Sequence, residues 1–202
     1  MSRILAFFAC LLIAQAHAAE KILVFGDSLS AGYGMAREQS WPALLQARLA
    51  REGQAWLVFN ASISGETTAG GKSRLPAVLQ RERPRVVILA LGANDGLRGL
   101  PVGEMRANLA AMARQAKAAG AKVLLVGMRL PPNYGPGYTR EFDAAFAAVA
   151  KEEKTAFLPF LLEPIALDDG AFQADRLHPS AAAQAKILDH VWPALLPLLK
   201  SR

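Results

Sequence analysis

The chain has 202 residues, of which 52% are hydrophobic and 20% charged, with a formal net charge of +6. That balance fits one globular domain with a sizeable core and excludes a disordered chain. The basic excess could attract a polyanion, but no Lys/Arg cluster interleaved with aromatics is present. The sequence is therefore read as a solvated basic surface with no nucleic-acid partner.

The first eighteen residues have the layout of a secretory signal peptide. Arg3 gives a positive start, Ile4 to Ala14 is almost wholly apolar, and Ala16-His17-Ala18 places small residues at the two cleavage-defining positions. The apolar run is short for a membrane anchor. A lipid-modified Cys10 is disfavoured because only Ile4 to Ala9 would precede it as a hydrophobic core. The domains expected are a signal peptide over 1–18 and one folded domain over 19–202, periplasmic or secreted. Cleavage after Ala18 removes Arg3, taking the charge from +6 to +5. It also removes Cys10, the only cysteine, and His17, leaving His178 and His190 for imidazole chemistry and no thiol at all.

Beyond the signal, short apolar runs alternate with longer amphipathic stretches. Lys21–Gly26 reads as a buried strand, and a helix follows with Ser40 as N-cap and Pro42 in its first turn. Trp56–Phe59 is the second strand, followed by helical material from about Thr67 to Gln80, interrupted by glycines and Pro76. Arg85–Leu91 is the third strand. Pro101 opens a helix through Ala119, and Gly120 sits where a left-handed C-cap belongs. Lys122–Val126 is the fourth strand, Thr139–Glu153 a helix, and Ala156–Leu158 a weaker fifth strand. The last helix is expected to start near Ser180 and end around Pro197. Strands apolar on both faces, alternating with helices, predict a single doubly wound α/β domain with a parallel sheet covered on both sides. With strand order 2-1-3-4-5, the exit loops of the first three strands converge where such sheets bind ligands.

Those loops hold the polar blocks. The first reads Gly26-Asp27-Ser28-Leu29-Ser30, the second Asn60-Ala61-Ser62-Ile63-Ser64-Gly65-Glu66, and the third Gly92-Ala93-Asn94-Asp95. A fourth, Asp175-Arg176-Leu177-His178-Pro179, precedes the last helix. Each alone is modest; together, in this order and after these elements, they resemble the SGNH (GDSL) hydrolases, and within them the periplasmic thioesterase I, lysophospholipase and arylesterase group. The resemblance extends over nearly the whole chain after the signal, including Arg129 to Tyr134. It implies the flavodoxin-like SGNH fold with a five-stranded sheet. It implies Ser28 as nucleophile, His178 as base and Asp175 as third triad member. It further implies an oxyanion hole from the backbone N–H groups of Ser28 and Gly65 and the side-chain amide of Asn94. Glu66 departs from the aspartate expected in close relatives, which bears on loop packing.

The chemistry read from the residues agrees with what the resemblance implies. A serine hydroxyl needs an adjacent base to act as a nucleophile near neutral pH. His178 is the histidine that sits in a loop with a carboxylate close by, and the spacing from Asp175 lets a turn bring that carboxylate to Nδ1, leaving Nε2 for Ser28. Gly65 exposes its N–H without a side chain in the way, and Asn94 offers an amide donor to a developing oxyanion. The expected reaction is hydrolysis of aryl esters, acyl thioesters or lysophospholipids through an acyl-enzyme, with no cofactor or metal. The expected partners are a small-molecule or lipid ester and transient membrane lipid, with the chain acting as a monomer.

Other features take structural readings. Asp27 is expected to accept backbone hydrogen bonds in its turn, and Asp95 is given no chemistry. His190 lies in the last helix between Leu188 and Val191 and is read as packed or at the surface; Trp41 and Trp192 are read as core. Thr67 and Thr68 are candidate helix caps, and Asp168-Asp169 a solvated pair. Three rival functions are a carbohydrate O-deacetylase of the same fold, a non-catalytic binding module, and a flavodoxin-like nucleotide binder. The last is disfavoured because Asp27 would stand where a phosphate sits.

Overall fold

A computed structural model describes residues 19–200; the predicted signal peptide, with Arg3, Cys10 and His17, lies outside them. Five parallel strands form one sheet in the order β2-β1-β3-β4-β5: β1 Glu20–Gly26, β2 Trp56–Asn60, β3 Val86–Ala90, β4 Lys122–Val126 and β5 Ala156–Leu158. The order is the one expected, and β1 pairs with β2 and β3 so that Val24 lies between Asn60 and Ile88.

Side-chain alternation divides the core into two layers, as the pleat requires. Ile22, Val24, Val86 and Ile88 face a layer built on α2 (Trp41–Arg51) and α7 (Gln184–Lys200), where Trp41, Ile187 and Trp192 are buried. Leu23, Phe25, Val87 and Leu89 face α3 (Thr68–Glu82), α5 (Val102–Ala118) and α6 (Pro136–Glu153), where Leu75, Leu109 and Phe142 are buried. Two single-turn helices complete the set, α1 (Ser28–Ala31) after β1 and α4 (Ala93–Leu97) after β3. Burying each large apolar side chain contributes about 1.5–3 kcal/mol, so the sheet is held from both faces and its carboxyl edge is a rigid platform.

Several boundaries differ from the sequence reading, each for a local reason. Ser40 occupies the N-cap position of α2, but its hydroxyl donates to the Arg37 carbonyl (2.7 Å) and does not cap. The Trp41 N–H is met instead by the buried Gln184 side chain at 2.9 Å, which joins the start of α2 to the start of α7. Helix α6 begins at Pro136, three residues before Thr139, because proline suits a first turn that needs no N–H donor. Helix α3 runs unbroken through Gly70, Gly71 and Pro76. Helix α7 runs through Pro193 and past Pro197 to Lys200, starting after a 3-10 turn at Ala181–Ala183. Gly120 takes the left-handed conformation (φ 83°) expected at the end of α5.

Candidate active site

Every polar block lies at the carboxyl edge of the sheet. The chain leaves β1 at Gly26, where a Cβ would meet the Ala90 carbonyl oxygen at 2.9 Å, so only glycine lets the turn rise this close to β3. Asp27 then caps α1, accepting from the Leu29 N–H at 3.0 Å, and Ser28 is the first helical residue. The 172–179 loop brings the fourth block across from the far end of the chain. It is closed by an antiparallel bridge between Phe172 and Pro179 and by a Gln173 N–H donated to the His178 carbonyl at 2.8 Å.

The structure brings Ser28, His178 and Asp175 into one chain of hydrogen bonds. Ser28 Oγ lies 2.8 Å from His178 Nε2, and His178 Nδ1 lies 2.7 Å from Asp175 Oδ2. Asp175 Oδ1 also accepts from the Leu177 and His178 N–H groups at 2.9 and 3.0 Å. Those backbone bonds, led by the His178 N–H and joined by its ring, hold the Asp175 carboxyl down at about 2. The carboxylate is thus ionised at neutral pH and placed to accept an Nδ1 proton; in that tautomer Nε2 accepts from the Ser28 hydroxyl.

Candidate donors for a developing negative charge line the same cleft. Among the described residues, neither the Ser28 nor the Gly65 N–H is taken by a protein acceptor. Gly65 adopts φ 77°, a left-handed conformation that glycine takes at no steric cost, and lines the same cleft as Ser28. Asn94 lines the cleft, its amide nitrogen anchored 3.1 Å from the Glu66 carbonyl and 3.3 Å from Asp27 Oδ2. Burial lifts the Asp27 carboxyl to about 6, offset in part by the Leu29 N–H, the charge of His178 and the Asn94 amide. The structural role expected for Asp27 is what the contacts show. Among the described residues, no group of three His, Cys, Asp or Glu side chains is arranged to hold a metal ion.

These groups open on a cleft of about 640 Å³, walled mainly by apolar side chains that include Leu29, Met128, Leu130, Phe160, Leu162 and Phe172. The segment expected to border the site supplies Arg129, Leu130, Pro131 and Pro132 to this wall.

The model of the GDSL-like Lipase/Acylhydrolase family matches residues 24–186. The chain belongs to this family. It is 53% identical to Esterase TesA of Pseudomonas aeruginosa over 191 residues, 95% of each chain. It is 42% identical over 192 residues to Thioesterase 1/protease 1/lysophospholipase L1 of Escherichia coli, covering 95% of this chain and 91% of that one. The crystal structure of the esterase EstA from a Pseudoalteromonas species, inhibited by monoethylphosphonate, superposes with a TM-score of 0.86 at 39% identity, over 90% of this chain and all of that one.

Further residues surround this GDSL-family site, and Tyr33 and Gln173 among them carry no mark in the sequence. The Tyr33 ring packs on the His178 imidazole with centroids 4.3 Å apart. Gln173 donates to the Tyr33 carbonyl at 2.8 Å and the Pro179 carbonyl at 3.1 Å, tying the loop after α1 to the histidine loop. Asp95 is buried and accepts from the Thr68 N–H at 2.8 Å and its hydroxyl at 2.5 Å, while Asn108 donates to that hydroxyl at 3.3 Å. This network fixes the loop bearing Gly65 relative to the one bearing Asn94. Thr67, not Thr68, caps α3. Glu66 takes both arms of Arg74, at 2.9 and 2.5 Å, so the departure noted there is absorbed in loop packing. His190 lies in α7 with its Nε2 3.0 Å from the Phe160 carbonyl oxygen, away from the relay.

Proposed function

We propose that the chain is a serine ester hydrolase working through an acyl-enzyme on Ser28. The observation that carries this reading is the unbroken Ser28–His178–Asp175 relay, at 2.8 and 2.7 Å, opening on an apolar cleft. His178 Nε2 takes the hydroxyl proton as Ser28 Oγ bonds to the substrate carbonyl carbon, and Asp175 supports the imidazolium. The Ser28 and Gly65 N–H groups and the Asn94 amide receive the oxyanion. As the carbonyl reforms, the bond to the leaving oxygen or sulfur breaks and His178 returns its proton to that atom. Water, activated by His178 in turn, releases the acid and frees Ser28.

The substrates proposed are aryl esters, acyl thioesters and lysophospholipids. The apolar wall supports an acyl chain over a sugar ring, and the names of the Pseudomonas and Escherichia relatives point the same way. The Ala16-His17-Ala18 pattern supports export to the periplasm or medium, where a lysophospholipid is a more accessible target than a cytoplasmic thioester. In that setting the chain works as a monomer in transient contact with membrane lipid.

The test is hydrolysis of p-nitrophenyl esters of increasing acyl length. Turnover that rises from acetyl to medium chains is expected; turnover confined to acetyl would point to the O-deacetylase instead. Asn94→Ala is expected to lower kcat by about 10²–10³ with a much smaller change in KM, because the amide acts on the oxyanion rather than on the bound ester. Steady-state kinetics on one ester checks it, and a change confined to KM would contradict the oxyanion role.

A further inference from the structure

Three non-glycine residues have positive φ: Arg83, Lys154 and Arg176. The first two are left-handed C-caps, closing α3 and α6. Arg176 caps no helix. It stands inside the Asp175–His178 turn at φ 57°, where the bonds from the Leu177 and His178 N–H groups to Asp175 impose the conformation. That backbone position favours glycine, so an arginine there carries a cost in backbone strain.

Among the described residues the Arg176 guanidinium makes no ion pair, hydrogen bond or ring contact. The adjacent Asp175 carboxylate is already engaged by two backbone N–H groups and the His178 ring. Arg176 instead lines the cleft, beside Leu177 and His178. Its side of the cleft follows from the chemistry. His178 Nε2 must hand its proton to the departing atom, so the leaving group lies over the turn that carries His178, which is also the turn that carries Arg176. The wall from Met128 to Pro132, apolar apart from Arg129, whose guanidinium lies 3.8 Å from Asp143 and over the Phe160 ring, is left for the acyl chain. A second exposed cation, Arg98, donates to the Gly65 carbonyl at 2.9 Å and adds positive potential on the oxyanion side. Asp169 also lines the cleft and opposes it in part.

Resting on the hydrolase reading above, we propose that Arg176 forms an anion subsite for the leaving group, selecting esters whose alcohol or thiol portion carries a phosphate or carboxylate near the scissile bond. The arginine positions that group by charge while Ser28 and His178 act on the ester.

Two matched substrate pairs test it: 3-carboxy-4-nitrophenyl against 4-nitrophenyl butanoate, and 1-octanoylglycerol 3-phosphate against 1-octanoylglycerol. The readout is the ratio of kcat/KM, anionic over neutral, in wild type, Arg176→Gly and Arg176→Lys. Glycine suits the left-handed backbone, so the turn is retained. Arg176→Gly is expected to lower the ratio by about three- to ten-fold, the effect of one partly exposed charge contact, with Arg176→Lys restoring most of it. Added salt should bring the wild-type ratio toward that of the glycine variant. A fall in both pairs supports a general anion subsite, and a fall in one alone supports the subsite and identifies phosphate or carboxylate as its ligand. A ratio unchanged in both pairs overturns the proposal even if absolute rates move. Absence of wild-type turnover on every ester overturns the hydrolase reading and the subsite with it.

Discussion

Replacing Ser28 with alanine is expected to lower kcat by about 10⁶-fold, leaving only the rate that the oxyanion donors and substrate binding sustain without a nucleophile. The fold should survive, because α1 is capped by Asp27, not by the serine, and the Ser28 hydroxyl serves no packing role beyond its bond to His178. A stability change within about 0.5 kcal/mol is expected for such a deletion at a partly exposed site. Pre-steady-state kinetics on an aryl ester would show a burst in wild type and none in the variant, and mass spectrometry would find the acyl adduct only in wild type. Near-normal kcat in Ser28→Ala would remove the serine mechanism altogether.

The second large effect is expected at Asp175. Asparagine there is nearly isosteric, yet an amide N–H₂ turned toward Nδ1 would force the imidazole into the tautomer that carries its proton on Nε2. His178 would then present a donor to the Ser28 hydroxyl and could not accept its proton. A loss of up to about 10⁴ in kcat follows for Asp175→Asn if the new amide turns this way, with KM less affected. The turn itself should largely hold, since the amide oxygen can still accept from the Leu177 and His178 N–H groups. Because the native carboxyl is held at about 2, Asp175 stays ionised across the working range. Wild-type kcat/KM should therefore show no limb belonging to this residue between roughly pH 4 and 9. A pH–rate profile of wild type beside Asp175→Asn checks both statements.

Much of the fold was legible because buried parallel strands are apolar on both faces and end abruptly. Val86–Ala90 is buried throughout, and Val123–Val126 is buried likewise within Lys122–Val126. Helices α1 and α4 were missed for the opposite reason: four and five residues are too few to show a period. Helix α6 opens at Pro136, ahead of the expected Thr139, and α7 carries Pro197 within it and runs on to Lys200. Among the site residues, Ser28, Gly65, Asn94, Asp175 and His178 were visible as blocks after strands or before the last helix, and the structure places them together. Tyr33, Gln173 and Arg98 were not, because their partners are distant in sequence and no local pattern announces a ring on an imidazole or a guanidinium on a carbonyl. Arg176 stands inside the Asp175–Pro179 block, but its backbone conformation, and its lack of a partner among the described residues, are visible only in three dimensions.

The nucleophile and its base are 150 residues apart, with Ser28 after the first strand and His178 just before the last helix. During synthesis the nucleophile emerges early and its base almost last, and Gln184, which meets the Trp41 N–H, later still. A nascent or truncated chain thus carries the serine without the means to activate it. Hydrolytic competence arrives only when the C-terminal segment docks, so the appearance of turnover is itself a clock for the final step of folding.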